Sequence, residues 1–425
     1  MDLYKVFSEH PVITTDSRNC PEGALFFALR GESFDGNEYA VSAIEKGCAY
    51  AVIDDERVFE GAKATGMARR LILVPDVLTS LQDLARTHRR HWGKTIIGVT
   101  GTNGKTTTKE LIAAVLGKKY DVLFTQGNFN NHIGVPKTLL QLSGSHDIAV
   151  VEMGANHPGE IKTLVNITEP EYGVITNVGK AHLLGFGSLE GVIRTKGELY
   201  DYLREHHGTA FVNENDEHLM NICHGLNVIK YGDNGRFIAS DPFLAFSYEG
   251  QQVRTRLIGG YNLDNCLCAA AIGRQFGVSD EDIVAALSEY TPTNNRSMLR
   301  KTERNDLIID AYNANPTSMA AALSNFRQLK AKGKMCILGA MRELGEASEE
   351  EHRKVIATLE DMDIEDVMLV GEEWDEVVTG ASARFSLFKD INALSEYLTE
   401  NPLCGHTILV KGSNSTRLIQ SIELL

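Results

Sequence analysis

A chain of 425 residues is too long for one hydrophobic core, so two or three domains are expected. Its 43% hydrophobic and 23% charged residues are ordinary for a globular protein, and its formal net charge of −15 argues against a surface that coats nucleic acid. No apolar run approaches the roughly 20 residues that span a bilayer, so no membrane span is expected. Seven cysteines at scattered positions, none in a CxxC pattern, suit a reducing compartment. The opening MDLYKVFSEH has no basic start and no apolar stretch, so the expected location is the cytoplasm. Any anionic substrate must then be held by a few local cations, which directs attention to lysines and arginines beside glycine turns.

From Pro11 to Val52 the chain reads as short strands and tight turns, through VITTDSR and GALFFALRG. Ser17 and Arg18 lie between a threonine-rich strand and a Cys-Pro turn, where ligand binding and simple turn chemistry both remain open. Leu78 to His91 carries Leu78, Leu81 and Leu84 on one face at helical spacing and predicts an amphipathic connection from the first domain to the second. Arg89-Arg90-His91 reads as the basic end of that helix, complementing its dipole.

The sequence then reaches IIGVTGTNGKTTTK, Ile96 to Lys109: a β-branched run, a glycine-bracketed turn, and a lysine opening a helix. Such a passage aims backbone N–H groups and the positive end of a helix at one point, where a phosphate chain can sit. Val99 stands where the usual P-loop has its first glycine, leaving the shorter bracket Gly101, Thr102, Asn103, Gly104, Lys105, Thr106 and Thr107. Gly101 and Gly104 free the backbone to curl round a β-phosphate, Lys105 reaches the β/γ oxygens, and the Thr106 hydroxyl faces a magnesium ion.

Strands at Thr95–Thr100, Asp147–Met153, Tyr172–Asn177 and Ala210–Asn213 alternate with helices, which predicts a parallel sheet. Glu152 falls at the C-terminal end of the apolar strand IAVVEMG, the edge where open α/β sheets bind ligands, and is the expected magnesium holder. Three polar clusters share that edge: Gln126 to His132 with Asn130 and Asn131, Asn177 to His182, and Arg194 to Glu198 around Lys196 within a helix from Leu189 to Leu203. His182 suits a second metal or a phosphate, although a lone histidine is more often structural. Gly259 to Gly277 begins with glycines and becomes an alanine-rich helix that puts Asn262 and Asn265 on one face and Cys266 and Cys268 in the core.

Arg296 marks a domain seam, and from Met298 a second α/β unit follows, with strands at Leu307–Asp310, Met335–Leu338, Asp366–Val370 and His406–Lys411 and helices at Ser318–Leu329 and Glu349–Asp361. It lacks a G-x-G-x-x-G dinucleotide fingerprint. Its signal is a set of polar loops leaving strands, above all Asp310 to Pro316 with Asn313 and Asn315, then Met341 to Glu346 and Lys411 to Ser415.

Taken together, TGTNGKTT, EMGANHPGEI, ITNVGKAHLLGFGS, KGELY, GGYNLDNCLCAAA, DAYNANPTSM and VKGSNSTRL resemble the Mur ligase family over nearly the whole chain. The resemblance implies an α/β protein of three domains: a small N-terminal α/β nucleotide-sugar domain over residues 1–78 that binds the UDP-substrate, a central P-loop parallel-sheet ATPase domain over 79–296, and a C-terminal Rossmann-like ligase domain over 297–425. It implies an ATP- and Mg2+-dependent amide ligase, acting as a monomer, that joins D-alanyl-D-alanine to a UDP-N-acetylmuramoyl-tripeptide through an acyl phosphate. By the same resemblance Gly101 to Thr107 hold the ATP phosphates, Thr106 and Glu152 one magnesium, and His182 with a carbamylated Lys196 the other. Asn265 and Arg296 would contact the adenine and phosphate side, Asp310 the ribose, Ser17 and Arg18 the uridine diphosphate, and Asn130 and Asn131 the sugar-peptide. Lys105, Glu152, His182 and Lys196 would carry the chemistry, with Asn313 and Asn315 near the substrate. Ala340 departs from the family pattern, which leads us to expect an aspartate there. The competing expectations are a relative that adds a single amino acid to a UDP-muramoyl peptide, and a P-loop ATPase that hydrolyses ATP only to change shape.

Overall fold

A computed structural model describes residues 2–293, 296–378 and 384–425. The chain divides into two compact units, the first of Met1–Gly98, Tyr120–Gly154 and Glu160–Glu171, the second of Val99–Lys119, Ala155–Gly159 and Tyr172–Leu425.

The first unit opens with a parallel sheet of β1 (Ile13–Thr14), β2 (Leu25–Phe27), β3 (Tyr50–Ile53) and β4 (Leu71–Leu73), paired in that order. Its core sets Ala24, Phe26, Ala28, Ala51 and Ile53 of and beside the strands against Ala40, Ala43, Ile44 and Ala62 of the helices Ala40–Glu45 and Glu56–Lys63. The many alanines let helix and sheet backbones approach closely. The predicted connecting helix runs Val77–Trp92, capped by the Asp76 carboxylate, which accepts from the Thr79 N–H at 2.6 Å, and ended by Gly93 at φ 67°.

Arg89, in the basic last turn that the sequence predicts, has a further use. It is 7% exposed, and its guanidinium donates to the carbonyl oxygens of Thr168 (3.0 Å) and Glu169 (2.6 Å) and to the Glu171 carboxylate. These carbonyls lie at the end of the helix Glu160–Thr168, where no further turn supplies donors, so Arg89 closes that end from a neighbouring element.

Strand β5 (Thr95–Thr100) carries the chain from the first unit into the second. In the first unit β6 (Val122–Phe124) pairs parallel with β7 (Ile148–Glu152), every residue of which is buried. In the second unit β8 (Tyr172–Ile175), β9 (Thr209–Asn213) and β10 (Asn227–Tyr231) run parallel. An antiparallel sheet of β11 (Gly235–Ser240), β12 (Phe243–Tyr248) and β13 (Gln251–Ile258) then intervenes; the sequence reading did not include it.

The last sheet has the order β14 (Met298–Lys301), β15 (Asp306–Asp310), β19 (Thr407–Lys411), β16 (Lys334–Gly339), β17 (Asp366–Val370), β18 (Phe385–Phe388), all parallel except the antiparallel β14 edge. Alternate residues feed opposite faces: Ile308, Cys336, Leu338 and Leu369 meet the helices Pro316–Gln328 and Ser348–Glu360, while Leu307, Ile309, Ile337 and Met368 meet Ile391–Glu400 and the chain's last turns. Burial on both faces explains why these strands read as unbroken apolar runs.

Candidate functional site

In the second unit the glycine bracket closes β5 and opens the helix Lys105–Leu116. Gly101 sits at φ 141°, and a Cβ there would stand 2.0 Å from Thr176 Oγ1; Gly104 sits at φ 78°, where a Cβ would meet Asn265 Oδ1 at 2.6 Å. Both positions therefore admit glycine alone without rearrangement. The segment after β8 pins the loop: Asn177 O accepts from Thr102 N–H (2.9 Å), Asn177 Oδ1 from Asn103 N–H (3.0 Å), and the Thr176 hydroxyl donates to Asn103 O (2.6 Å). Gly104 is the N-cap, so among the described residues no side chain caps this helix, and its first N–H groups keep the positive end of the dipole available to an anion. Lys105 Nζ donates to Gly101 O (2.7 Å) and Thr102 O (3.0 Å), which holds the ammonium across the loop.

The other candidate residues of this unit have defined partners, and two of them, Asn265 and Asn315, touch the loop or its helix. Asn265 Oδ1 accepts from the Thr108 hydroxyl (3.0 Å) while its amide donates to Asn262 Oδ1 (2.9 Å), so the two asparagines do share a helical face. Asn315 caps the helix Pro316–Gln328 and exchanges amide hydrogen bonds with Asn103, at 2.8 Å and 3.4 Å. Asp310 is paired with the buried Lys411 at 2.6 Å, and Lys411 also donates to Asn313 O at 3.2 Å. Arg296 lies over the Tyr312 ring at 3.8 Å, and its Nε is buried without a hydrogen-bond partner among the described residues. His182, at φ 50°, pairs its Nδ1 with Glu343 and turns its ring edge-on to Phe186. Burial pushes its imidazole below the ordinary value, against the opposing pull of Glu343. Lys196 is 2% exposed, donates to Ala155 O at 3.1 Å, and stands 5.1 Å over the Phe186 ring.

In the first unit Glu152 is 1% exposed at the end of β7; Oε1 accepts from the Asn130 amide at 2.8 Å, and Oε2 has no hydrogen-bond partner among the described residues. Asn131 uses its side-chain oxygen on the N–H groups of Ile133 (3.1 Å) and Gly134 (2.8 Å), at the start of the helix Gly134–Leu139. Arg18 is 89% exposed and folds back on Asp16, whose carboxyl its guanidinium lowers to about 2. Ser17 offers its carbonyl to Lys46 at 2.8 Å.

The sequence profile of the Mur ligase middle domain matches residues 99–273, that of the Mur ligase glutamate ligase domain 295–414, and that of the Mur ligase family catalytic domain 11–89. A UDP-N-acetylmuramoyl-tripeptide–D-alanyl-D-alanine ligase of Bacillus subtilis is 36% identical over 97% of this chain and 92% of its own length. This chain belongs to the Mur ligase family. The ligase of the same name from Escherichia coli is 32% identical over 97% of this chain and 93% of its own. A crystal structure of MurF from Acinetobacter baumannii superposes with a TM-score of 0.82 at 30% identity, covering 96% of this chain and 92% of that one. The MurF ligase of Thermotoga maritima in complex with ADP gives a TM-score of 0.84 at 25% identity, covering 100% of this chain and 98% of that one.

The family implies a bound magnesium, and each unit by itself holds a buried oxygen suited to a cation. Thr106 Oγ1 in the second unit and Glu152 Oε2 in the first are buried oxygens without hydrogen-bond partners among the described residues, an arrangement that is costly unless a ligand completes it. The sequence reading did not assign roles to Glu343 or to Lys180, which pairs with Glu351 at 2.8 Å. It did place Lys180 and Glu343 in loops leaving strand ends, the one signal available for them.

Proposed function

We propose that this protein is an ATP-dependent carboxylate–amine ligase that joins D-alanyl-D-alanine to UDP-N-acetylmuramoyl-tripeptide, giving a pentapeptide precursor of peptidoglycan, ADP and phosphate. The observation that carries the reading is the uncapped helix N-terminus behind Gly101 and Gly104 with Lys105 lying across it, in a chain that aligns with the Bacillus subtilis ligase over 97% of its length. The reaction requires two anions to meet. An oxygen of the tripeptide's terminal carboxylate forms a bond to the γ-phosphorus as ADP leaves; the amine of D-alanyl-D-alanine then adds to the acyl carbon, and phosphate departs with the carbon–oxygen bond. Lys105 and the first N–H groups of Lys105–Leu116 offset the repulsion on the nucleotide side.

Magnesium, when bound, supplies further positive charge at the phosphate oxygens. Thr106 and Glu152 would hold one ion, His182 and Lys196 a second. Lys196 fits that role only as a carbamate, formed when carbon dioxide condenses with the neutral amine and a proton leaves, which turns a buried cation into an oxygen donor. Asn265, Arg296 and Asp310 would face the nucleoside, Ser17 and Arg18 the uridine diphosphate, and Asn130, Asn131, Asn313 and Asn315 the sugar-peptide. We assign the segments 1–78, 79–296 and 297–425 to UDP-substrate, ATP and ligation, and place the enzyme in the cytoplasm as a monomer. Matches of three separate family profiles support that partition. No helix among the described residues is long and apolar enough to cross a membrane.

The test is phosphate release with UDP-muramoyl tripeptide and a panel of amines. Release that needs both the tripeptide and D-alanyl-D-alanine is expected. Release stimulated instead by lysine or diaminopimelate would move the enzyme to a ligase adding one amino acid, and release indifferent to every amine would make it an ATPase switch.

A further inference from the structure

His182 and Glu343 are 161 residues apart, yet their side chains are hydrogen-bonded, and the pairing is reinforced on both sides. Glu343 O accepts from the Leu184 N–H at 3.1 Å, and a Cβ at Gly345 would come to 3.4 Å from Leu184 Cδ1, which places that loop beside Leu184. The base of the Glu343 loop is fixed by buried His352, whose Nε2 accepts from the Met341 N–H at 3.0 Å while its Nδ1 donates to Ser348 O at 2.7 Å. Both partners occupy left-handed backbone, His182 at φ 50° and Glu343 at φ 63°. A non-glycine residue held there is strained, so two in one pair indicate surroundings that over-determine the arrangement.

A carboxylate only accepts, so in the neutral ring the hydrogen bond puts the imidazole proton on Nδ1 and leaves Nε2 with its lone pair. Free imidazole side chains favour the opposite tautomer. A histidine that ligates a metal commonly gives its other ring N–H to a carboxylate, which fixes tautomer and ring angle. On the reading of His182 as a metal ligand given above, we infer that Glu343 is its positioning residue: the C-terminal loop 341–346 prepares His182 Nε2 to receive a divalent cation. His182, Phe186 and Lys196 already form one run of contacts, with the imidazole edge-on to Phe186 and the Lys196 ammonium over that ring at 5.1 Å. The consequence is that metal capture by a residue following β8 depends on a loop following β16.

The full-length protein, labelled with 15N at histidine, tests this through the His182 ring signals, assigned by their loss in His182→Ala, together with Mn2+ binding in the presence of a non-hydrolysable ATP analogue. The parent is expected to show His182 protonated at Nδ1. Glu343→Ala, at a half-exposed side chain, is expected to move the proton to Nε2 and weaken Mn2+ binding by about tenfold or more. Glu343→Gln, whose amide oxygen still accepts from Nδ1, should retain the tautomer and recover part of the affinity. An Nε2-protonated parent, or a Glu343→Ala variant that binds Mn2+ like the parent while His182→Ala does not, would overturn the inference alone. A His182→Ala variant that binds Mn2+ normally would overturn the ligand reading of His182 and this inference with it.

Discussion

Lys105 is the residue on which the proposed chemistry turns, and its hydrogen bonds hold it across its own loop. Its ammonium rests on two carbonyls of its own loop, at 2.7 Å and 3.0 Å, and a phosphate chain entering the bracket would compete for the same protons. Lys105→Ala should lower turnover by about two or more orders of magnitude, as expected for removing a charge aimed at the transferring group, while titration with UDP-substrate shows near-normal binding. Normal turnover would remove the phosphate-loop assignment. For Lys196→Ala we expect activity to be lost and partly restored by small carboxylates such as formate; unchanged activity would end the carbamate reading. Lys105 could be singled out in the sequence because a glycine bracket after a strand is a local signal, whereas Lys196, in the middle of the helix Leu189–Glu205, drew a role only from the family resemblance. The Asn103–Asn315 pair was not legible, since 212 residues separate the partners and an asparagine in a polar loop has many uses. Asn131 illustrates the same ambiguity: its side chain serves two backbone N–H groups at the start of a helix.

At the scale of elements, the bracket and the helix ends carry the testable weight. Gly104→Ala combines an unfavourable positive φ with a Cβ 2.6 Å from Asn265 Oδ1, so the loop or the Asn265 side chain must shift. Nucleotide affinity, measured by calorimetry, should fall at least tenfold; an unchanged value would mean the bracket is not the phosphate cradle. Arg89→Ala would strand the carbonyls of Thr168 and Glu169 and should cost about 2 kcal/mol, read as a drop of several degrees in melting temperature. The long elements could be read from their periodicity: the helix predicted from Leu78 to His91 is Val77–Trp92, and the strand at Asp366–Val370 lies where its apolar run put it. Of the antiparallel sheet, β11 is largely exposed and offers no alternation, with Phe237 and Ile238 about half exposed, whereas β12 and β13 do alternate and the pattern went unused. Arg89 escaped because a basic run at a helix end looks the same whether solvent or a neighbouring helix terminus meets it.

Across the second unit, polar pairs join residues far apart in the chain: Asn103 with Asn315, His182 with Glu343, and Lys180 with Glu351. Glu351 is buried, which alone would raise its carboxyl, but Lys180 and Lys354 outweigh burial and hold it below its ordinary value of 4.5. A depressed native value means the unfolded chain binds the proton first on acidification. The tie therefore contributes in full above about 4.5 and is lost as pH falls through the native value. The difference in melting temperature between the parent and Glu351→Gln should thus be clear at neutral pH and shrink below that point; a difference independent of pH would show that the tie contributes nothing. The most direct measurement of the central claim is a crystal structure with a non-hydrolysable ATP analogue and magnesium. The account predicts β- and γ-phosphates seated on the first N–H groups of Lys105–Leu116, within hydrogen-bond reach of Lys105 Nζ. A triphosphate bound away from Gly101 to Thr107 would contradict it.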